Sequence, residues 1–136
     1  MKRIKITYED KLFSEYIRKR AIKNVGGCER CLTPKFDKVK DDGSIFPAYK
    51  QLQCSHFISR RQHSTRWDEC NACGFCAACH MYFTGHPLEH VEFFKARLGD
   101  VEFERLKMRS QGVKGIDIKL VRIYLNQLLK ETDNGK

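Results

Sequence analysis

The sequence predicts a small α+β fold in which a cysteine-stapled centre is flanked by helices on both sides. Three observations predict it. Apolar residues recur at helical spacing near both ends, and short segments bounded by turn residues fill the middle. Two Cys-x-x-Cys pairs, Cys28/Cys31 and Cys76/Cys79, stand far apart in the chain. A length of 136 residues suits one domain, 1–136, with an N-terminal helix over 8–24, a core over 25–87 and C-terminal helices over 88–132. A core of this size gains from a metal staple.

Residues 1–8 form a short strand or a loose start. From Tyr8 the pattern turns helical, because Leu12, Phe13, Tyr16, Ile17, Arg20 and Ala21 recur at gaps of three and four. Thr7 is placed to cap this helix, with Asp10 at its third position. Lys11, Arg18, Lys19 and Lys23 make a basic stripe on the other face, read either as a solvated surface or as a contact for a polyanion. Asn24-Val25-Gly26-Gly27 breaks the helix just before the first cysteine pair. Residues 32–50 are polar and turn-rich, with two short strands expected to flank Asp42-Gly43.

Leu52 to Ile58 reads as a strand that delivers His56. A long polar loop over 59–69 carries Arg60, Arg61, His63, Arg66 and Trp67. Trp67 is read as packing rather than as a base-stacking residue. Asn71 and the second cysteine pair follow, then a helix beginning near His80. Leu88, Val91, Phe94 and Leu98 mark a further helix that Gly99 stops. Phe103, Leu106 and Met108 mark a short one, and Gly112 and Gly115 bracket a break. Ile116 to Lys130 carries a wide apolar face, and Glu131–Lys136 reads as a frayed tail.

Lys plus Arg number 26 against 17 Asp plus Glu, a net charge of +9 that calls for a polyanionic partner, nucleic acid before membrane. No apolar run approaches the ~18 residues of a membrane span. Met1–Lys11 alternates charged with apolar residues, so no export signal is expected and the seven cysteines are read as reduced thiols in a cytoplasmic setting. Arg60, Arg61 and Arg66 are assigned to phosphate contacts, and the Lys114–Arg122 region to an extended footprint or a homodimer contact.

Four thiolates from two Cys-x-x-Cys turns can enclose Zn²⁺ tetrahedrally, so Cys28, Cys31, Cys76 and Cys79 are assigned to one structural zinc site. Two alternatives stand beside it. Cys70, Cys73, Cys76 and Cys79 have an even cadence that hints at an iron–sulfur run, without the three-residue last gap and proline of that pattern. Cys54, Cys70, Cys73 and a histidine could build a further metal site, although cysteine is often buried with no ligand role.

Phosphodiester hydrolysis needs a base for water, a divalent cation for the charge on the phosphate, and a group that orients the base. His56 suits the first task near neutral pH, and the non-titrating amide of Asn71 suits the third. His80 completes an ordered His–Asn–His set around the second cysteine pair.

This order of strand-His, loop, Asn, cysteine pair and His resembles the HNH (ββα-metal) nuclease motif in its zinc-stapled form. The segments QCSHFISR, TRWDECN, CAACH and TGH more narrowly resemble the phage NinG/Rap recombination nucleases, as do the upstream Cys-x-x-Cys and the Leu98-Gly99 break in a helical tail. The likeness spans roughly residues 8–130 and is specific through 52–86. It implies that His56 is the general base, that Asn71 orients it and fixes the hairpin, and that His80 binds a catalytic Mg²⁺ or Mn²⁺. It implies branched DNA, such as Holliday junctions and D-loops, as substrate, and a phage or prophage protein in a bacterial host. One departure stands out: many HNH enzymes carry an aspartate ligand just before the base, and here that position is Ser55. Asp68, Glu69 or water are then candidate oxygen ligands, with His63 and His86 as further candidates. The competing reading is a non-catalytic zinc module that binds nucleic acid.

Overall fold

The structure, a computed structural model, describes residues 3–112 and 115–134. It is a mixed α+β arrangement of five α-helices and two small two-stranded sheets among the described residues. Met1, Lys2, Lys114 and the last two residues, which the expectations touched, lie outside that range.

Helix α1 spans Tyr8–Val25. Thr7 Oγ1 accepts from the Asp10 amide at 3.2 Å, and Asp10 Oδ2 accepts from the Thr7 amide at 2.9 Å. Each satisfies an amide that a helix start would leave orphaned. Gly26 ends α1 in the left-handed region at φ +72°, its amide bonding the Ile22 carbonyl. The expected turn at Asp42-Gly43 joins strands β1 (Lys38–Val39) and β2 (Ile45–Phe46), which pair antiparallel.

The centre is a second antiparallel pair, β3 (Gln53–His56) and β4 (Ala72–Phe75), with Cys54 opposite Gly74 and His56 opposite Ala72. Helix α2 (Ala77–Gly85) follows directly. It starts three residues before His80, because Cys76 is its extended N-cap. Helices α3 (Pro87–Leu98) and α4 (Asp100–Ser110) break at Gly99, as the pattern predicts. Helix α5 spans Ile118–Asn134. The frayed tail expected from Glu131 is therefore helical as far as Asn134, and Lys19 Nζ reaches Asp133 Oδ1 at 2.9 Å.

The β3–β4 hairpin separates two cores. Phe13, Tyr16 and Ile17 of α1, with Trp67, Ala72, Leu125 and Leu129, fill one. Cys73 and Phe75 of β4 join Phe83, Phe94 and Phe103 in the other. All four residues of β4 are buried, because side chains alternate between faces and both faces are covered. Helix α1 crosses the hairpin so closely that a Cβ on Gly74 would lie 2.8 Å from the Ala21 Cβ. Gly74→Ala is expected to destabilise the protein by about 1–3 kcal/mol, the usual cost of overpacking, as read from the urea midpoint.

No helix among the described residues is long and apolar enough to cross a membrane.

Candidate functional site

The two cysteine pairs meet. The Sγ atoms of Cys28, Cys31, Cys76 and Cys79 all lie within 4.8 Å of one another, and Cys31 and Cys76 are 3.9 Å apart. Tetrahedral zinc with Zn–S bonds of about 2.3 Å separates its sulfurs by about 3.8 Å. The four thiols therefore fit a metal ion such as zinc in both chemistry and spacing.

A side chain the sequence did not single out closes the long gap between the pairs. Glu29 exchanges backbone contact with β4, its amide donating to the Gly74 carbonyl at 3.0 Å. Its carboxylate accepts from the Gly74 amide at 2.6 Å and pairs with Arg97. The first knuckle is thus fastened to the strand that leads into the second. Gly27 admits the return of the chain, since a Cβ there would sit 2.0 Å from the Thr33 carbonyl oxygen. A hydrogen bond with Thr33 draws the Cys31 thiol down to about 6, and burial pushes Cys79 up to about 12. Arg30 donates to the Cys79 sulfur at 3.5 Å and stacks over the Tyr82 ring.

Cys54, Cys70 and Cys73 lie outside this group. Cys73 points from β4 into the core, and burial raises the thiols of all three. The four-cysteine group that forms draws two of its members from the distant upstream pair, which separates it from the even Cys70–Cys79 cadence.

His56 ends β3 at the rim of a groove of about 830 Å³, lined also by Lys11, Arg18, Lys50, Arg60 and His80. Its Nε2 donates to the Arg66 carbonyl at 2.9 Å. That bond selects the tautomer with the lone pair on Nδ1. Burial lowers the imidazole below its ordinary value of 6.5, the Arg66 carbonyl opposes that, and the Arg60 charge adds to it.

Asn71 is wholly buried, and its carbonyl accepts from the Phe57 amide at 2.9 Å. Its side-chain oxygen accepts from the Ile58 amide at 2.7 Å, and its Nδ2 donates to the carbonyls of Ile58 and Thr65. It clamps both ends of the loop that presents the Arg66 carbonyl. The amide thus fixes the hairpin loop, as the resemblance implies, and its link to His56 runs through the Arg66 carbonyl on that loop.

Arg66 departs from its expected place on phosphate. It is 5% exposed, and its guanidinium donates to Asp10 through Nε at 2.9 Å and Nη2 at 2.5 Å, and to the Lys5 carbonyl. Trp67 Nε1 also donates to Asp10, at 3.0 Å. The arginine read as a surface cation is a buried brace between α1 and the loop that holds His56. Burial pushes Asp10 up, but the hydrogen bonds and charge of Arg66 with the Thr7 amide outweigh it and hold the carboxyl at about 2. Its contribution to stability is full above the ordinary value of 3.8 and is lost as pH falls towards about 2. Arg66→Met, which leaves Asp10 buried without its partner, is expected to cost about 3–5 kcal/mol in urea unfolding at neutral pH. That cost shrinks in the double variant Arg66→Met/Asp10→Asn, which leaves no unpaired charge in the site.

Arg60 lines the groove beside His56, and Arg61 lies exposed next to it, by Arg3. Lys50 joins the basic wall without having been expected there. Asp68 and Glu69 are engaged elsewhere: Arg109 Nε donates to Asp68 at 2.6 Å, while the Tyr16 and Tyr124 hydroxyls donate to Glu69. The groove's own carboxylates are committed too, Asp10 to Arg66 and Glu15 to Lys19. His63 lies 3.5 Å from an Arg66 nitrogen, and His86 stacks on Tyr82.

A smaller cavity that also touches His56 is lined by Ser55, His80, Phe83, Thr84 and His90. Ser55 is buried. Burial lowers the imidazoles of His80 and His90, and the nearby His80 lowers His90 further. His90 escaped the sequence reading. It sits one turn before Phe94 in α3, where a core position would ordinarily be apolar, and that misplaced polarity was the available signal.

Comparison with protein-family models, with curated proteins and with solved structures gives no match to this chain, so the site is interpreted from its own residues.

Proposed function

We propose that the protein is a metal-dependent DNA endonuclease of the HNH (ββα-metal) type, with a structural zinc in the Cys28/Cys31/Cys76/Cys79 cluster. The observation that carries this reading is His56. Its Nε2–H is tied to the Arg66 carbonyl, its Nδ1 is left as the base, and it stands at a groove walled by Lys11, Arg18, Lys50 and Arg60. His80 borders the same groove and is the residue that would hold the divalent ion, Mg²⁺ or Mn²⁺. Such an ion, when bound, would neutralise charge on the scissile phosphate and the departing oxygen.

The chain's own residues do the rest. Lys11, Arg18, Lys50 and Arg60 hold the phosphate backbone by charge, without reading sequence. His56 Nδ1 takes a proton from water as that oxygen bonds to phosphorus and the bond from phosphorus to the 3′ oxygen breaks, and the departing 3′ oxygen takes a proton from solvent water to become a hydroxyl. The imidazolium so formed keeps its Nε2–H on the Arg66 carbonyl, which stabilises the charge. Asn71 and the Asp10–Arg66 pair act at one remove, by fixing the loop that carries that carbonyl.

The choice of branched recombination intermediates rests on the resemblance to the NinG/Rap nucleases alone. Paired cuts across a junction would be made most simply by a homodimer. The rival reading, a zinc module that binds nucleic acid without cutting it, draws on one observation: Ser55 and the cavity beside His80 offer no carboxylate. A labelled four-way junction and its linear control, incubated with Mg²⁺, Mn²⁺ or EDTA, separate the two. Metal-dependent cutting that prefers the junction supports the proposal. Binding with no cutting in either metal supports the rival.

A further inference from the structure

Among the described residues, four buried side-chain polar atoms have no hydrogen-bond partner: Arg20 Nε, Ser64 Oγ, His80 Nδ1 and His90 Nε2. Two of these have ordinary explanations. Arg20 spends its other guanidinium nitrogens on the carbonyls of Glu69 and Ala72, and Ser64 is a rotatable hydroxyl in a loop. The remaining two are imidazole nitrogens on different helices, and both residues line one cavity of about 300 Å³ with Ser55, His56 and Thr84. Leaving one buried nitrogen unpaired is unfavourable, and here two histidines that line one cavity each carry one.

We propose that His80 and His90 form an imidazole pair that holds a divalent transition-metal ion in the cavity they share with His56. The inference deepens the nuclease reading, on which it rests for the ion's role but not for its binding. His90 is well placed to be a fixed ligand. Its ring stacks on Phe83 at 4.9 Å and meets Phe94 edge-on at 5.1 Å, so its orientation is set by packing. His80 is fixed by the zinc knuckle, being the residue after Cys79 in α2. The donor set is two imidazoles with the hydroxyls of Ser55 and Thr84, and no carboxylate lines this cavity. Imidazole suits nickel, copper, iron and zinc, whereas magnesium takes oxygen ligands, so the pair binds these transition-metal ions more tightly than Mg²⁺, and the cutting assay for the nuclease reading includes Ni²⁺ beside Mg²⁺ and Mn²⁺.

The test uses untagged, zinc-loaded full-length protein titrated with Ni²⁺ by calorimetry, with X-ray absorption at the nickel edge to count imidazoles. The expected result is one Ni²⁺ per chain, bound through two imidazoles and not displaced by equimolar Mg²⁺. His90→Phe keeps an aromatic ring in the packed site and is expected to weaken Ni²⁺ about tenfold or more. His86→Ala, on the exposed ring that stacks with Tyr82, is expected to leave the affinity unchanged. One imidazole at the nickel in the unsubstituted protein, or equal affinity in His90→Phe, overturns the pair. The imidazole count needs no variant, so it stands even if His90→Phe does not fold. Two imidazoles at nickel with no DNA cutting in any metal would remove the nuclease reading and keep the pair. Cutting with a single imidazole would do the reverse.

Discussion

His56→Ala is expected to lower DNA cutting by about 10²–10⁴-fold, the range that general-base catalysis supplies, while binding to the same DNA stays within a factor of about two. The split follows from where the charges sit. On the proposed reading, affinity for DNA comes from Lys11, Arg18, Lys50 and Arg60 along the groove, and the substitution touches none of them. The proton transfer, by contrast, has one acceptor. His56→Gln refines the test, because it retains a polar side chain against Phe13 and the loop but cannot act as a base at neutral pH. The pH profile of any cutting by the unsubstituted protein supplies an independent readout. Burial lowers the His56 imidazole below 6.5, so protonation, which silences the base, sets in only below that value. The acidic limb of the rate profile is therefore expected to fall below pH 6.5. A limb well above it, or an alanine variant that cuts at the original rate, would remove His56 from the chemistry. Loss of binding in both variants would instead mark it as structural.

Stripping zinc is expected to unfold the molecule. Structural zinc sites contribute apparent binding energies of about 10–16 kcal/mol at neutral pH, as large as the whole stability of a small domain. Here the dependence should be severe, because the cluster does more than close a loop. It holds the first knuckle against the end of β4, sets the start of α2 at Cys76, and so places His80. A strong chelator should abolish the cooperative thermal transition, and zinc added back should restore it. Cys79→Ser, at a site 4% exposed, should give a protein that retains less than one zinc per chain and shows the same loss. An unchanged melting temperature after complete removal of metal would show that the two hydrophobic cores suffice and that the thiols are ordinary core residues.

Much of this was legible along the chain because it depends on local rules. The start of α1 follows from Thr7 and Asp10 three residues apart, since a capping box is made within one turn. The turn between β1 and β2 follows from Asp42-Gly43, and the break between α3 and α4 from Gly99. The cysteine cluster was legible for a related reason. Each Cys-x-x-Cys turn offers two sulfurs to one ion, and tetrahedral coordination then asks for a second pair wherever it lies. The strand carrying His56 and the loop behind it were legible in outline, as was a buried place for Trp67.

The sequence by itself therefore determined most of the elements and the four-cysteine cluster that could hold a metal. The tertiary structure alone decided which polar side chains line the groove and which brace the scaffold. Arg60 and Arg66 are indistinguishable in the string. Only the packing of α1 against the loop buries Arg66 on Asp10 while Arg60 lines the groove. Only folding shows that Asn71 holds a loop rather than the imidazole, or that Glu29 ties the first knuckle to β4. His90 joins the cavity of His80 because α3 folds back beside α2, a contact that no spacing rule encodes. The physical reason is the same in each case. Capping, turns and paired thiols are satisfied within a few residues or around one ion. The partner of a buried charge or amide is whichever group the long-range packing brings within three ångströms.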